Sequence, residues 1–182
     1  MSVVETVVVA VWLMLPAYVP NNAAVLFGGG TPVDFGREWR GSRVLGDGKT
    51  WRGGAAGVTA GVALALVQTF AVVEGFLPDS LDFLPAFEPL AALGLALGAI
   101  LGDMGASFVK RRTGRERGAP FPGVDQLDFV VGAFVVTAIL ASEWFFEVFT
   151  VEVVVAVLVL TPALHVITNF IAYRLGLKDE PW

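Results

Sequence analysis

The side chains in this chain that could do chemistry are carboxylates, cations and hydroxyls. Cysteine is absent and histidine occurs once, at His165. Thiolate nucleophiles, thiolate metal sites and disulfides are therefore excluded, and one imidazole cannot form a histidine relay or a multi-histidine metal centre. The run from Asp103 to Arg112 is the first of three polar segments. On a helix its spacing stacks Asp103, Ser107, Lys110 and Arg111 along one face. Ionisable groups at the edge of an apolar span are costly unless partnered or wet, so such a face reads as a binding surface. The second segment is Pro120-Phe121-Pro122-Gly123-Val124-Asp125-Gln126-Leu127-Asp128. Its prolines and glycine predict a turn into a helix, from whose start Asp125 and Asp128, three apart, face the same way. A capping box and the helix dipole also favour acids there, and that reading stays open for the pair alone. Asp103 adds a third carboxylate on the same side of the chain, among ten basic residues. Carboxylates together with substrate phosphates are the usual holders of Mg²⁺, while surplus Lys and Arg neutralise the remaining phosphate charge.

The third segment contains Asp34-Phe35-Gly36-Arg37 and Gly46-Asp47-Gly48-Lys49-Thr50-Trp51-Arg52-Gly53. Gly48-Lys49-Thr50 suggests a Walker A loop, but that motif needs glycine where Arg43 stands and a strand before it, so the P-loop is rejected. What survives is a glycine-rich, cation-bearing turn entering a helix, a place for an oligophosphate. A purely topogenic basic loop fits this segment equally well. Asn21 and Asn22, after Pro16 and Pro20, and the stripe Thr161, His165, Thr168 and Asn169 read first as interhelical hydrogen-bonding groups. His165 is expected to be a partnered packing residue with no catalytic role.

The elements that must position these groups follow from composition. Of 182 residues 55% are hydrophobic and 16% charged, with mean hydropathy +0.72. A soluble chain has about 25% charged residues and could not hide this much apolar surface. Disordered, coiled-coil, collagen and nucleic-acid-binding classes are excluded, the last also by a pI of 4.8. Five stretches are long and apolar enough to span a bilayer: Val3 to Phe27, Gly53 to Phe76, Pro85 to Leu101 with helix continuing through Val109, Phe129 to Phe146, and Val151 to Tyr173. Of the twelve Lys and Arg, Arg37, Arg40, Arg43, Lys49 and Arg52 lie between the first two spans. Lys110, Arg111, Arg112, Arg115 and Arg117 lie between the third and fourth, and Arg174 and Lys178 at the end. Glu5, Glu74, Asp79, Asp82, Glu88, Glu143, Glu147 and Glu152 mark the opposite side, with no basic residue among them. The expected fold is an all-α integral membrane protein of five transmembrane helices. Its N-terminus is outside, its C-terminus inside, and its two basic loops are cytoplasmic.

The first span begins with Glu5 and stays apolar for over twenty residues, so it is expected to be retained rather than cleaved as a signal peptide. No soluble domain is expected beside the membrane domain of residues 1–182, at the cell membrane. Glycines at four-residue spacing, Gly53, Gly57 and Gly61, then Gly94, Gly98 and Gly102, predict close helix packing that draws the end of the third helix toward the first loop.

Taken together, the segments resemble the archaeal CDP-archaeol synthase family, membrane cytidylyltransferases related to CDP-diacylglycerol synthases. The resemblance covers most of the chain. It runs through Pro16 to Asn22, Gly28 to Asp34, Arg43 to Gly53, and Gly102-Asp103 with Ser107 to Arg112, and ends in the block Pro122 to Asp128. The wider family signature is Ser-x-x-Lys-Arg, a glycine turn, then Asp-Arg-x-Asp. This chain keeps the serine, the Lys-Arg pair and both aspartates, but has Gln126 in place of the arginine and lacks a histidine before the glycines. These departures fit the archaeal branch, and the chain is far shorter than the bacterial enzymes.

The resemblance implies transfer of a cytidylyl group from CTP to 2,3-bis-O-(geranylgeranyl)-sn-glycerol 1-phosphate, with release of pyrophosphate. It implies Mg²⁺ on Asp103, Asp125 and Asp128, and phosphate contacts from Arg43, Lys49, Lys110 and Arg111. Ser107, Thr50, Asn21 and Asn22 would meet the nucleotide or metal-bound water, and apolar walls between helices would hold the isoprenoid chains. A lipid phosphate is already an anionic nucleophile, which suits a chain without histidine or cysteine machinery. Two other classes remain: a CDP-alcohol phosphotransferase, which would crowd more acids onto one helix face, and a small transporter with a basic cytoplasmic mouth. The transporter would need polar groups through the midplane, where the third span is nearly all Ala, Leu and Gly.

Overall fold

The structure is a computed structural model that describes residues 1–114 and 123–174. The turn expected at Pro120 to Pro122, the cations Arg115, Arg117 and Lys178, and the side chain of Asn169 lie outside the described residues. Among the described residues the regular structure is helical apart from one small hairpin. Helix α1 is Val3–Leu26, α2 Trp51–Val73, α3 Pro89–Arg112, α4 Val124–Leu140, α5 Ser142–Val148 and α6 Val151–Arg174. Helices α1, α2, α3 and α6 are each long and apolar enough to cross a membrane. The fourth apolar stretch is not one rod. It breaks at Ala141, where φ is −143° and ψ 58°, leaving α4 with 17 residues. The break turns Trp144 and Phe145 inward, where with Phe149 they pack on Phe134 and Phe87.

Helix α1 opens with a capping box: the Ser2 hydroxyl accepts the Glu5 N–H at 3.2 Å while the Ser2 N–H donates to the Glu5 carboxylate at 2.8 Å. Pro16 and Pro20 lie inside α1. Each lacks an N–H, so each frees the carbonyl four residues earlier. The Trp12 carbonyl freed by Pro16 accepts the buried Gln68 amide of α2 at 3.0 Å. In lipid such a partner is needed, because no water is present to replace it.

The two glycine rows do different work. Gly57 and Gly61 of α2 press on the Pro20 and Pro16 carbonyl oxygens of α1, where an added Cβ would sit 2.6 and 2.5 Å away. Gly94 and Gly98 of α3 press on α4, with added Cβ atoms 2.7 Å from the Thr137 Cα and 2.6 Å from the Ala133 Cα. Gly102 continues that contact against the backbone of Asp128 and Phe129. Any side chain in these rows would force the helices apart, so the glycines set helix spacing.

The segment joining α1 to α2 folds over the end of α3. Its strands β1 (Glu38–Trp39) and β2 (Ser42–Arg43) pair antiparallel. Arg40 and Gly41 between them have φ of 54° and 77°, positive at both central positions as a type I′ hairpin turn requires.

Candidate functional site

The organiser of the first loop is Asp34, whose side chain is 1% exposed. Its carboxylate accepts the backbone N–H groups of Gly36, Leu45 and Gly46 at 3.0, 2.9 and 3.0 Å. It also pairs with the Arg43 guanidinium at 2.8 Å. The Arg43 guanidinium, then the three N–H donors, outweigh burial and hold the Asp34 carboxyl well below the usual carboxylate range. Arg43 also meets Asp47 at 2.6 Å. The loop then returns to α1's end: Val33 donates to the Lys49 carbonyl at 2.8 Å, and Trp51 to the Thr31 carbonyl at 3.2 Å. Thr50 caps α2 by accepting the Gly53 N–H at 3.1 Å. Lys49 is thereby fixed at the mouth of the helix bundle, where its ammonium pairs with Asp103 of α3.

A second ion pair stands nearby, Lys110 of α3 with Asp125 of α4 at 2.5 Å. The four side chains of these pairs are each about a quarter exposed, as groups facing a wet cavity should be. Asp128 is one turn on from Asp125, and one carboxylate oxygen accepts the Phe129 N–H at 2.6 Å. Asp103 follows Gly102, whose backbone lies against that of Asp128. The absence of a side chain at position 102 is what lets the α3 acid approach the α4 acids.

All three acids and both lysines line one cavity of about 590 Å³. Asn21 and Asn22 of α1, Thr50, and the α6 residues Thr161, His165 and Thr168 complete its polar wall. Among the described residues no three acidic or histidine side chains stand close enough to hold a cation unaided. A cation there would need further oxygen ligands from its substrate.

Eight of the eleven residues predicted from sequence share this cavity: Asn21, Asn22, Lys49, Thr50, Asp103, Lys110, Asp125 and Asp128. Arg43, Ser107 and Arg111 do not line it. Arg43 pairs with Asp34 and Asp47, whereas Lys49 and Lys110 line the cavity. Arg111 lies over Gly46, where a Cβ would meet its guanidinium at 3.6 Å. The hydroxyl of Thr50 accepts the Gly53 N–H at the start of α2, and the residue lines the cavity. The stripe on α6 bonds between helices at Thr161, whose hydroxyl lies 2.8 Å from that of Tyr18, and within its own helix at Thr168, whose hydroxyl donates to the Leu164 carbonyl at 2.8 Å. It also faces the cavity, which its spacing of four, then three, alone could not say. Two residues with site-building roles went unread in the sequence: Asp34 and Arg112. A carboxylate among glycines was the available signal for Asp34; for Arg112 there was none.

The fold and site thus define a polytopic helical membrane protein with a mixed acid-and-lysine cavity at one end of its bundle. Comparison with known proteins narrows this class. Residues 3–182 match the family model described as CarS-like, CDP-archaeol synthase. The CDP-archaeol synthase of Haloarcula marismortui is 63% identical over 182 residues, and that of Halobacterium salinarum 61% identical over 183, in both cases covering all of each chain. A solved structure of an intramembrane enzyme for archaeal membrane lipids biosynthesis is 40% identical, with a TM-score of 0.70 over 88% of this chain and 92% of that one. The chain belongs to the CDP-archaeol synthase family.

Proposed function

We propose that this protein transfers the cytidylyl group of CTP to 2,3-bis-O-(geranylgeranyl)-sn-glycerol 1-phosphate, yielding a CDP-activated ether lipid and pyrophosphate. The observation that carries the reading is the meeting of three carboxylates and two lysines in one cavity, in a chain of this family. An oxygen of the lipid phosphate attacks the α-phosphorus of CTP. The new P–O bond forms as the bond to the β-phosphate oxygen breaks, and its electron pair leaves on pyrophosphate. The nucleophile is already ionised, so no side chain need remove a proton. The protein's task is to bring two anions together and to stabilise the leaving charge, by position and electrostatics. Lys49 from the first loop and Lys110 from α3 supply that positive charge, exchanging an aspartate partner for a phosphate oxygen. Asn21 and Asn22 line the nucleotide's part of the wall.

The carboxylates of Asp103, Asp125 and Asp128 are hard oxygen donors of the kind Mg²⁺ prefers, and all face the cavity. They would hold the ion jointly with substrate phosphates. When bound, it supplies neutralisation of the triphosphate and polarisation of the reacting phosphorus.

The sorting of charge supports a cytoplasmic site at the cell membrane: the two basic segments of the sequence supply the cavity lysines Lys49 and Lys110, and Glu5, Glu74, Asp79, Asp82, Glu88, Glu143, Glu147 and Glu152 fall toward the other ends of the spans. Helix α4 would make the fifth crossing. Its 17 residues cover about 25 Å at 1.5 Å each, and α5 would finish the passage at the interface. The chain would then work as one membrane-embedded domain, N-terminus outside and C-terminus inside. Its partners are CTP, an isoprenoid glycerol phosphate and the bilayer, with no nucleic acid. Proteoliposomes given CTP labelled at the α-phosphate test the reading. Label should enter the lipid as pyrophosphate is released in equal amount; release of CMP, or no labelled lipid, would refute it.

A further inference from the structure

Lys49 reaches the cavity from a loop, yet that loop is fastened to the bundle most heavily at a point outside the cavity. Arg112, the last residue of α3, lies against the hairpin. Its guanidinium donates to the Trp39 carbonyl, to the Ser42 carbonyl at 3.1 Å and to the Arg43 carbonyl at 2.7 Å. The same guanidinium lies 5.2 Å from the Trp39 ring and 5.3 Å from the Phe108 ring. Those two rings stack at 5.7 Å with 17° between their planes. From the latched strand the chain runs six residues to Lys49, held along the way by Arg43 on Asp34 and by the Asp34 carboxylate on Leu45 and Gly46. Asp103, the partner of Lys49, sits on the same helix as Arg112, nine residues earlier, or about 13 Å along its axis.

We infer that Arg112 is a positioning residue for the nucleotide site: by latching the hairpin to the end of α3 it sets where the Lys49 ammonium stands relative to Asp103. The inference rests on the cavity being the CTP site. Arg112 does not line that cavity, and both its terminal nitrogens are engaged by carbonyls, so it acts through Lys49 rather than on substrate. Three carbonyls at different angles match the planar fork of arginine; the ammonium of lysine cannot reproduce that fork. The stacked rings shield these bonds on one side, which strengthens them.

The test uses full-length Arg112→Ala and Arg112→Lys proteins in vesicles, with CTP affinity, steady-state kinetics and amide exchange measured for each. Charge-assisted hydrogen bonds of this kind set the expected scale: Arg112→Ala should raise the Kd and KM for CTP by about tenfold or more, while kcat falls no further than it does in Lys49→Met. Arg112→Lys should recover part of the loss. In a Lys49→Met background, Arg112→Ala should add no further loss of affinity, because a residue acting through Lys49 has nothing left to position. Unchanged Kd and KM in Arg112→Ala, or losses that add in the double variant, would overturn the inference. Amide exchange over residues 44–49 reads the latch without nucleotide. It should speed up in Arg112→Ala, and unchanged exchange also defeats the inference. A wild-type protein that bound no CTP would defeat the functional reading instead, with the latch still decided by exchange. If Arg112→Ala does not fold, Phe108→Ala, which removes the stack but keeps the three donors, must raise KM in the same direction. Wild-type KM in that variant would refute the inference.

Discussion

Substitution of Gly102 by alanine separates catalytic geometry from mere packing. A Cβ at position 102 would lie 2.9 Å from the Asp128 carbonyl carbon and 3.0 Å from the Phe129 Cα, with the Asp128 carbonyl oxygen closer still. Ordinary contact begins at 3.4 Å, so α3 and α4 must part here by at least about half an ångström, and by nearer 1 Å to clear the oxygen. Asp103 is carried on one of the displaced backbones, Asp125 and Asp128 on the other. Misplacement of reacting groups by about 1 Å can cost about 100-fold in rate, whereas overpacking typically costs about 1–3 kcal/mol of stability. The control is Gly94→Ala, whose Cβ would meet the Thr137 Cα at 2.7 Å, two turns farther from the acids. Both variants should lose comparable thermal stability. Only Gly102→Ala should lose on the order of 100-fold in kcat/KM for CDP-lipid formation, measured as pyrophosphate release. A folded Gly102→Ala protein within threefold of wild-type activity would refute the claim that this contact sets the carboxylate spacing.

Three other outcomes follow from the same structure. Asp34 has its folded carboxyl pKa depressed, chiefly by Arg43. Its contribution to stability is therefore complete above the unfolded value of about 3.9 and is lost as pH falls below it. Thermal unfolding followed from pH 7 to 3 should show Asp34→Asn less stable at neutral pH, with the gap to wild type narrowing below about pH 4; a gap that widens in acid would contradict the assignment. Gln68→Leu removes the amide that satisfies the Trp12 carbonyl and should cost about 1 kcal/mol of stability, with CTP KM unchanged. Chelation of divalent cations should abolish turnover and added Mg²⁺ restore it; full activity in excess chelator would remove the metal from the mechanism.

Much of the site could be read from the sequence because its signals are local or periodic. The glycines at 94, 98 and 102 announced a close helix contact, and the acids at 103, 125 and 128 could meet only if α3 and α4 were neighbours, as that contact makes them. The pairing of Arg43 was not legible because a cation's partner is a tertiary fact: Asp34 lies nine residues before it and becomes its partner only once the hairpin folds. That hairpin is two residues per strand, too short for any alternation to register. Ser107, Lys110 and Arg111 share a helix face by spacing, yet Lys110 turns to Asp125 while Arg111 turns to Gly46. A helix face of that width spans two environments. The break at Ala141 lay hidden in a continuous apolar run, since it is the packing of Trp144 and Phe145 on distant rings that favours it.

If acids from two helices act together at one reaction centre, as proposed, the most direct measurement is turnover by Asp103→Asn, Asp125→Asn and Asp128→Asn proteins shown to be inserted and to hold wild-type helicity. Each loses an ionised carboxylate but little volume. CDP-lipid formation from CTP should fall by at least about 100-fold in all three, with thermal stability near that of wild type. Near-normal turnover in any one of them would remove that carboxylate from the reaction centre and contradict the proposed joint action of α3 and α4.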